Sequence, residues 1–136
     1  MQLNRREIAL ITKHLTDKLA AYLIIVFGSA ARGRLRPDSD IDLAFLSKYE
    51  FSQYDVFMAA QELAGILDRD VDLVDLSKAS TVFQAQIVGK GKVLFCSDDK
   101  ERMVFAMTAL KKYAKLNEER ACILAKVTER GRVYAE

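Results

Sequence analysis

The run from Phe27 to Leu43 constrains this chain more than any other stretch. Before it lies Leu23-Ile24-Ile25-Val26, a short apolar, β-branched segment that reads as a buried strand. Gly28-Ser29 ends that strand, because glycine reaches backbone conformations closed to other residues and lets a chain turn sharply against a ligand. Arg32-Gly33-Arg34 and Arg36-Pro37-Asp38-Ser39 then form a basic, punctuated loop. A second strand, Ile41 to Leu46, opens with two carboxylates alternating with apolar residues: Asp40, Ile41, Asp42, Leu43. Strand side chains alternate faces, so Asp40 and Asp42 point the same way, roughly 7 Å apart at a rise of ~3.3 Å per residue. Two carboxylates so placed repel each other and are stable chiefly with a cation, usually a divalent metal, between them.

The remaining elements follow from periodicity. Residues 3–20 read as a helix with Ile8, Ile11, Leu15 and Leu19 in one stripe and Asn4 able to cap it. Tyr22 to Phe27 is the first strand, and Ala30 and Ala31 suit the first turn of a short helix. Residues 51–68 form a second long helix, capped by Ser52, with Val56, Ala59, Ala60, Leu63, Ala64 and Leu67 inward. Val71 to Leu76 is a third strand, Ser80 to Val88 a short helix ending near Gly89, and Lys92 to Phe95 a fourth strand. From Asp98 or Asp99, either of which can cap it, a last helix runs to about Glu129, with Met103, Met107, Leu110 and Ala114 in one stripe. Met103, Phe105 and Met107 would suit an adaptable interface, although core packing is the commoner use of such residues. The tail from Gly131 is expected to fray. Strands and helices interleave, which predicts an α/β (α+β) fold with helices packed on one sheet.

At 136 residues and 51% hydrophobic content, the chain is expected to form one domain, 1–136. A core of about residues 20–96 and a C-terminal helix of about 98–130 are expected within it. A net charge of +2 argues against a protein that binds nucleic acid directly through bulk charge. Cys96 and Cys122 lack zinc-site spacing and read as reduced, unlinked thiols. His14, the single histidine, reads as a plain helix residue. No segment has the ~20 apolar residues of a membrane span and no signal peptide is evident, so the cytoplasm is expected.

Gly28-Ser29, ten intervening residues, then Asp40-Ile41-Asp42 resembles the signature of the nucleotidyltransferase superfamily of polymerase β and the kanamycin nucleotidyltransferases. The fuller string, with Arg32-Gly33 and Ser39 before the acids, is similar to the minimal nucleotidyltransferases (MNT). The block from Asp70 to Val82 resembles in particular the MNT antitoxins that pair with HEPN-domain toxins. This resemblance implies a mixed four-stranded polymerase-β-like sheet and a long C-terminal helix. It implies that Gly28 and Ser29 hold the terminal phosphates of ATP, with Arg32 close by; Ser39, just before the acids, either holds the loop or touches phosphate as a further nucleotide-binding residue.

Nucleotidyl transfer needs hard cations, because negative charge grows on the attacked phosphorus and on the departing pyrophosphate; two Mg²⁺ ions meet that need. Asp40 and Asp42 supply ligands, and a third carboxylate is needed for the attacking group. Asp70, Asp72 and Asp75 are the candidates. Asp72 lies among apolar residues, where a lone acid is expensive to bury, and is the position matching the family's third acid; Asp70 and Asp75 suit strand ends. Asp38 and Asp68 read as turn residues. Arg34 and Arg36 read as loop charge, and Lys78 is left open between nucleotide contact and surface.

By resemblance the chain moves AMP from ATP to a tyrosine hydroxyl of a cognate HEPN RNase toxin. That makes it the antitoxin of a type VII toxin–antitoxin pair. The rival expectations are an antitoxin that acts by binding alone, a transferase acting on a small molecule such as an aminoglycoside, and an RNA-directed transferase. Larger relatives carry an extra helical domain over the nucleotide, whereas this chain has only its last helix, so a partner is expected to supply surface. Lys111-Lys112-Tyr113-Ala114-Lys115 is basic and suits either a solvated face or partner docking.

Overall fold

The computed structural model describes residues 3–28 and 40–134, with side chains described as far as residue 125. Ser29, Arg32 and Ser39, together with Arg34, Arg36, Asp38 and the helical turn expected at Ala30-Ala31, lie outside the described residues. Eight elements follow in order: α1 (Arg5–Leu19), β1 (Ala21–Phe27), β2 (Ile41–Ser47), α2 (Gln53–Leu67), β3 (Val71–Asp75), α3 (Thr81–Lys90), β4 (Lys92–Cys96) and α4 (Asp99–Tyr134). A single 3₁₀ turn, Leu76–Lys78, joins β3 to α3.

Local chemistry explains the boundaries. Asn4 and Ser52 each close a capping box, with Glu7 and Asp55 reaching back to the cap N–H groups. Asp68 ends α2 in the left-handed conformation, as a turn residue should. Ser80 caps α3, and Asp98 caps α4 by accepting from the Glu101 N–H at 3.1 Å. Asp98 also meets Lys48 Nζ at 2.9 Å, tying the end of β2 to the start of α4.

Some boundaries depart from the sequence expectation. β3 stops at Asp75, not Leu76, because the Asp75 carboxylate accepts from both the Ser77 N–H and the Ser77 hydroxyl and starts the 3₁₀ turn. α3 continues past Gly89 to Lys90. The α4 backbone is helical to Tyr134, beyond the expected end near Glu129.

The sheet runs β3-β2-β1-β4, with β2–β3 parallel and the other two pairs antiparallel. Alternation splits its side chains between two cores. Ile24, Val26, Ile41, Leu43, Phe45 and Leu73 face α1 and α2, where Ile11, Leu15, Ala59 and Leu63 meet them. Leu23, Ile25, Ala44 and Leu46 face the other way, toward Ile87 of α3 and Phe105 of α4. His14 is buried under α2, where Nε2 lies 3.1 Å from the Ala59 carbonyl oxygen, so its role is structural.

The stripe expected on α4 faces the wrong way for a core. Met103, Met107, Leu110 and Ala114 are exposed, Met107 by 69%. The packed face instead runs through Phe105, Ala106 and Ala109. Periodicity cannot choose between two adjacent apolar stripes of one helix; the small Ala106 and Ala109 let α4 approach α3, and so decide it.

Close packing makes one glycine testable. A Cβ at Gly91 would lie 2.6 Å from the Ile87 carbonyl oxygen and would strike Ile25. Gly91→Ala is therefore expected to lose about 1–3 kcal/mol of stability, read by denaturant unfolding.

Candidate active site

β1 delivers a turn and β2 delivers carboxylates to the same end of the sheet. Phe27 is opposite Asp42 in the antiparallel register, and the next residue, Gly28, has φ +69°. Glycine holds that conformation at the least cost. Space demands glycine as well, because a Cβ built there would strike Asp42 Oδ2. The Phe27 ring meets Phe83 of α3 edge to face, centroids 5.6 Å apart, which fixes the strand end beside the turn.

Asp42 lies between Ile41 and Leu43, both buried against α1 and α2. Its side chain therefore points to the opposite face, and Asp40 continues the same alternation. In the parallel ladder Asp42 is paired with Asp72. Asp72 likewise sits between Val71 and Leu73, which pack toward α2, so its carboxylate shares the face of Asp42. The structure thus brings together three of the expected site residues, Asp40, Asp42 and Asp72, from segments thirty residues apart, with Gly28 beside them.

Electrostatics fit this arrangement. Burial raises the Asp42 carboxyl above the ordinary carboxylate range, and the neighbouring Asp72 and Asp40 push it further. Magnesium takes hard oxygen ligands and keeps several waters, so one or two carboxylates per ion suffice. Asp40, Asp42 and Asp72 offer oxygens of that type from one sheet face. Among the described residues, no group of three or more His, Cys, Asp or Glu side chains is drawn together closely enough to hold a metal ion.

The other acids and the lysine fall elsewhere. Asp75 caps the 3₁₀ turn. Asp70 is exposed at the start of β3, and its carbonyl accepts from the Ile41 N–H at 2.9 Å. Lys78 Nζ donates to the Phe51 carbonyl and so anchors the 3₁₀ turn to the start of α2. A cleft of about 490 Å³ opens beside Asp72, between β3 and α2, with Phe51, Val56 and Phe57 in its walls. Sequence reasoning did not find it. The available signal was Phe57, a large apolar residue off the inward stripe of α2.

A left-handed glycine turn at the end of β1, set against the carboxylates of β2 and β3, is the arrangement the sequence led us to expect of a nucleotidyltransferase. The chain belongs to the polymerase β nucleotidyltransferase family, whose profile it matches over residues 10–100. It is 38% identical over 123 residues to the protein adenylyltransferase MntA of Shewanella oneidensis MR-1, covering 90% of this chain and 86% of that one. A toxin–antitoxin crystal structure with AMP-PNP contains a chain 38% identical, with a TM-score of 0.79, covering 89% of this chain and 98% of that one. An MNT antitoxin complexed with a tri-AMPylated Shewanella oneidensis HEPN toxin is 35% identical, with a TM-score of 0.76 over 93% of this chain and 99% of that one.

Proposed function

We propose that this chain is a Mg²⁺-dependent protein adenylyltransferase that moves AMP from ATP to a tyrosine hydroxyl of a cognate HEPN-domain toxin, and so acts as an antitoxin. The observation that carries this reading is the register of Asp42 with Asp72 beside the left-handed Gly28 turn. Support for protein as acceptor comes from the 38% identity to a protein adenylyltransferase and from the AMPylated toxin held by a similar chain. The whole chain, 1–136, acts as one unit in the cytoplasm. Free Cys96 and Cys122 and the absence, among the described residues, of a helix able to cross a membrane accord with that location.

In the reaction, the acceptor hydroxyl oxygen bonds to the α-phosphorus of ATP and the bond from that phosphorus to the bridging oxygen breaks. AMP joins the acceptor and pyrophosphate leaves. Gly28 and Ser29 seat the phosphate tail, with Arg32 and Ser39 adding contacts. Asp40, Asp42 and Asp72 would hold Mg²⁺, expected as two ions, and the metal would supply neutralisation of charge on the transferred and leaving groups. Asp72 orients the acceptor hydroxyl and takes its proton.

Incubation with ATP, Mg²⁺ and the HEPN-domain partner is expected to add about 329 Da to the partner for each AMP, a covalent change visible by mass spectrometry. EDTA should prevent it. An unmodified partner that is nevertheless neutralised, with Asp40→Ala/Asp42→Ala equally protective, would replace this reading with neutralisation by binding alone.

A further inference from the structure

Among the described residues β3 is an edge strand, paired in the sheet with β2 alone. The Ile41 N–H donates to the Asp70 carbonyl, which in a parallel ladder turns the peptide groups of Asp70, Asp72 and Val74 toward β2. Those of Val71 and Leu73 therefore face the open side. That side is one wall of the 490 Å³ cleft, lined by every residue of β3 from Val71 to Asp75. The opposite wall is α2, through Val56, Phe57 and Gln61, and Lys78 lies at the margin. Phe57 is 57% exposed and leaves a large apolar surface uncovered.

Across the sheet the order is the phosphate turn on β1, the central acids on β2 and Asp72 on β3. In phosphoryl transfer the attacking and leaving oxygens lie roughly in line on opposite sides of phosphorus. The leaving pyrophosphate belongs at Gly28, so the acceptor arrives from the far side, across β3.

From this we infer that the cleft is the acceptor-docking groove, and that an extended segment of the protein acceptor pairs with the free edge of β3. Strand addition of this kind draws affinity from main-chain hydrogen bonds and selectivity from alternate side chains. An extended segment alternates faces as β3 does. The tyrosine on the Asp72 face presents its hydroxyl to that carboxylate. The residues on either side of it turn toward α2 and rest on Phe57 and Val56, so apolar neighbours are favoured there. The proton leaves the tyrosine for Asp72 as its oxygen bonds to the α-phosphorus and pyrophosphate departs.

This inference rests on the adenylyltransferase reading, and steady-state AMP transfer to the HEPN-domain partner separates the two. Phe57→Ala is expected to raise the KM for the partner about tenfold, as loss of an aromatic anchor does, with the KM for ATP unchanged. Val71→Pro removes one outward N–H, a change that edge strands accept, and is expected to act in the same direction. Circular dichroism establishes that each variant folds. Should Val71→Pro fail to fold, Phe57→Ala alone decides, since its ring is not part of either core. A wild-type chain that transfers AMP while folded Phe57→Ala keeps its KM for the partner overturns the groove only. A wild-type chain that transfers no AMP overturns the activity and the groove together.

Discussion

Asp42→Asn is expected to cripple AMP transfer and, at the same time, to raise the melting temperature of the metal-free chain. The carboxyl is raised by burial and by Asp72 and Asp40. An acid that titrates higher in the folded chain than in the unfolded one binds protons preferentially when folded. Its ionisation therefore erodes stability as pH climbs past the unfolded value, and the penalty is complete once pH exceeds the folded value. Asparagine has the same shape and no charge, so the repulsion disappears. Asp42 is only half-buried, and solvent screening holds the gain to a fraction of a kcal/mol, about 1–3 °C. Activity moves the other way, because an amide replaces a charged oxygen where cations must be held; a fall on the order of 10³-fold in kcat is expected. Thermal melts with and without Mg²⁺ and ATP read both effects. The wild-type chain should gain stability on adding the pair and the variant little. A variant that melts lower in EDTA, or that still transfers AMP near the wild-type rate, would refute the assignment of Asp42.

Gly28→Ala is expected to damage stability and catalysis through two separable causes. A residue with a Cβ held at φ +69° costs about 1–2 kcal/mol, and the melting temperature should drop by about 3–8 °C. The same Cβ would occupy the place of Asp42 Oδ2 and push that carboxylate aside. A displacement of about 1 Å in a reacting group can lower the rate on the order of 10²-fold. Asparagine at position 28 separates the causes, because Asn tolerates the left-handed conformation but still carries the Cβ. Gly28→Asn should recover part of the melting temperature and none of the activity. Recovery of both would mean that Gly28 serves only the turn.

Much of this was legible because the signals are local. Asn4 and Ser52 cap their helices by accepting from backbone N–H groups three residues on, and the alternation of Asp40, Ile41, Asp42 and Leu43 declares a half-buried strand without any long-range contact. The α4 stripe was legible as apolar but not as exposed. Met103 and Met107 recur at a helical spacing as good as that of Phe105 and Ala109; which set is covered depends on where α3 lies. Lys78 was undecided for a similar reason, since its partner is the carbonyl of Phe51, twenty-seven residues away.

The sequence by itself determined the chemistry on offer: a glycine turn after a buried strand, two acids on one strand face, and a third acid set among apolar residues of a later strand. Tertiary structure alone decided how these meet. Parallel pairing of β2 with β3 puts Asp42 opposite Asp72, and a shift of one residue would have turned Asp72 to the other face. Leaving β3 at the sheet edge, with α2 alongside, opens the cleft that runs past that acid. The physical reason is that residue type and alternation are properties of a segment, whereas register and edge position arise only when segments distant in the chain compete to bury the same apolar faces.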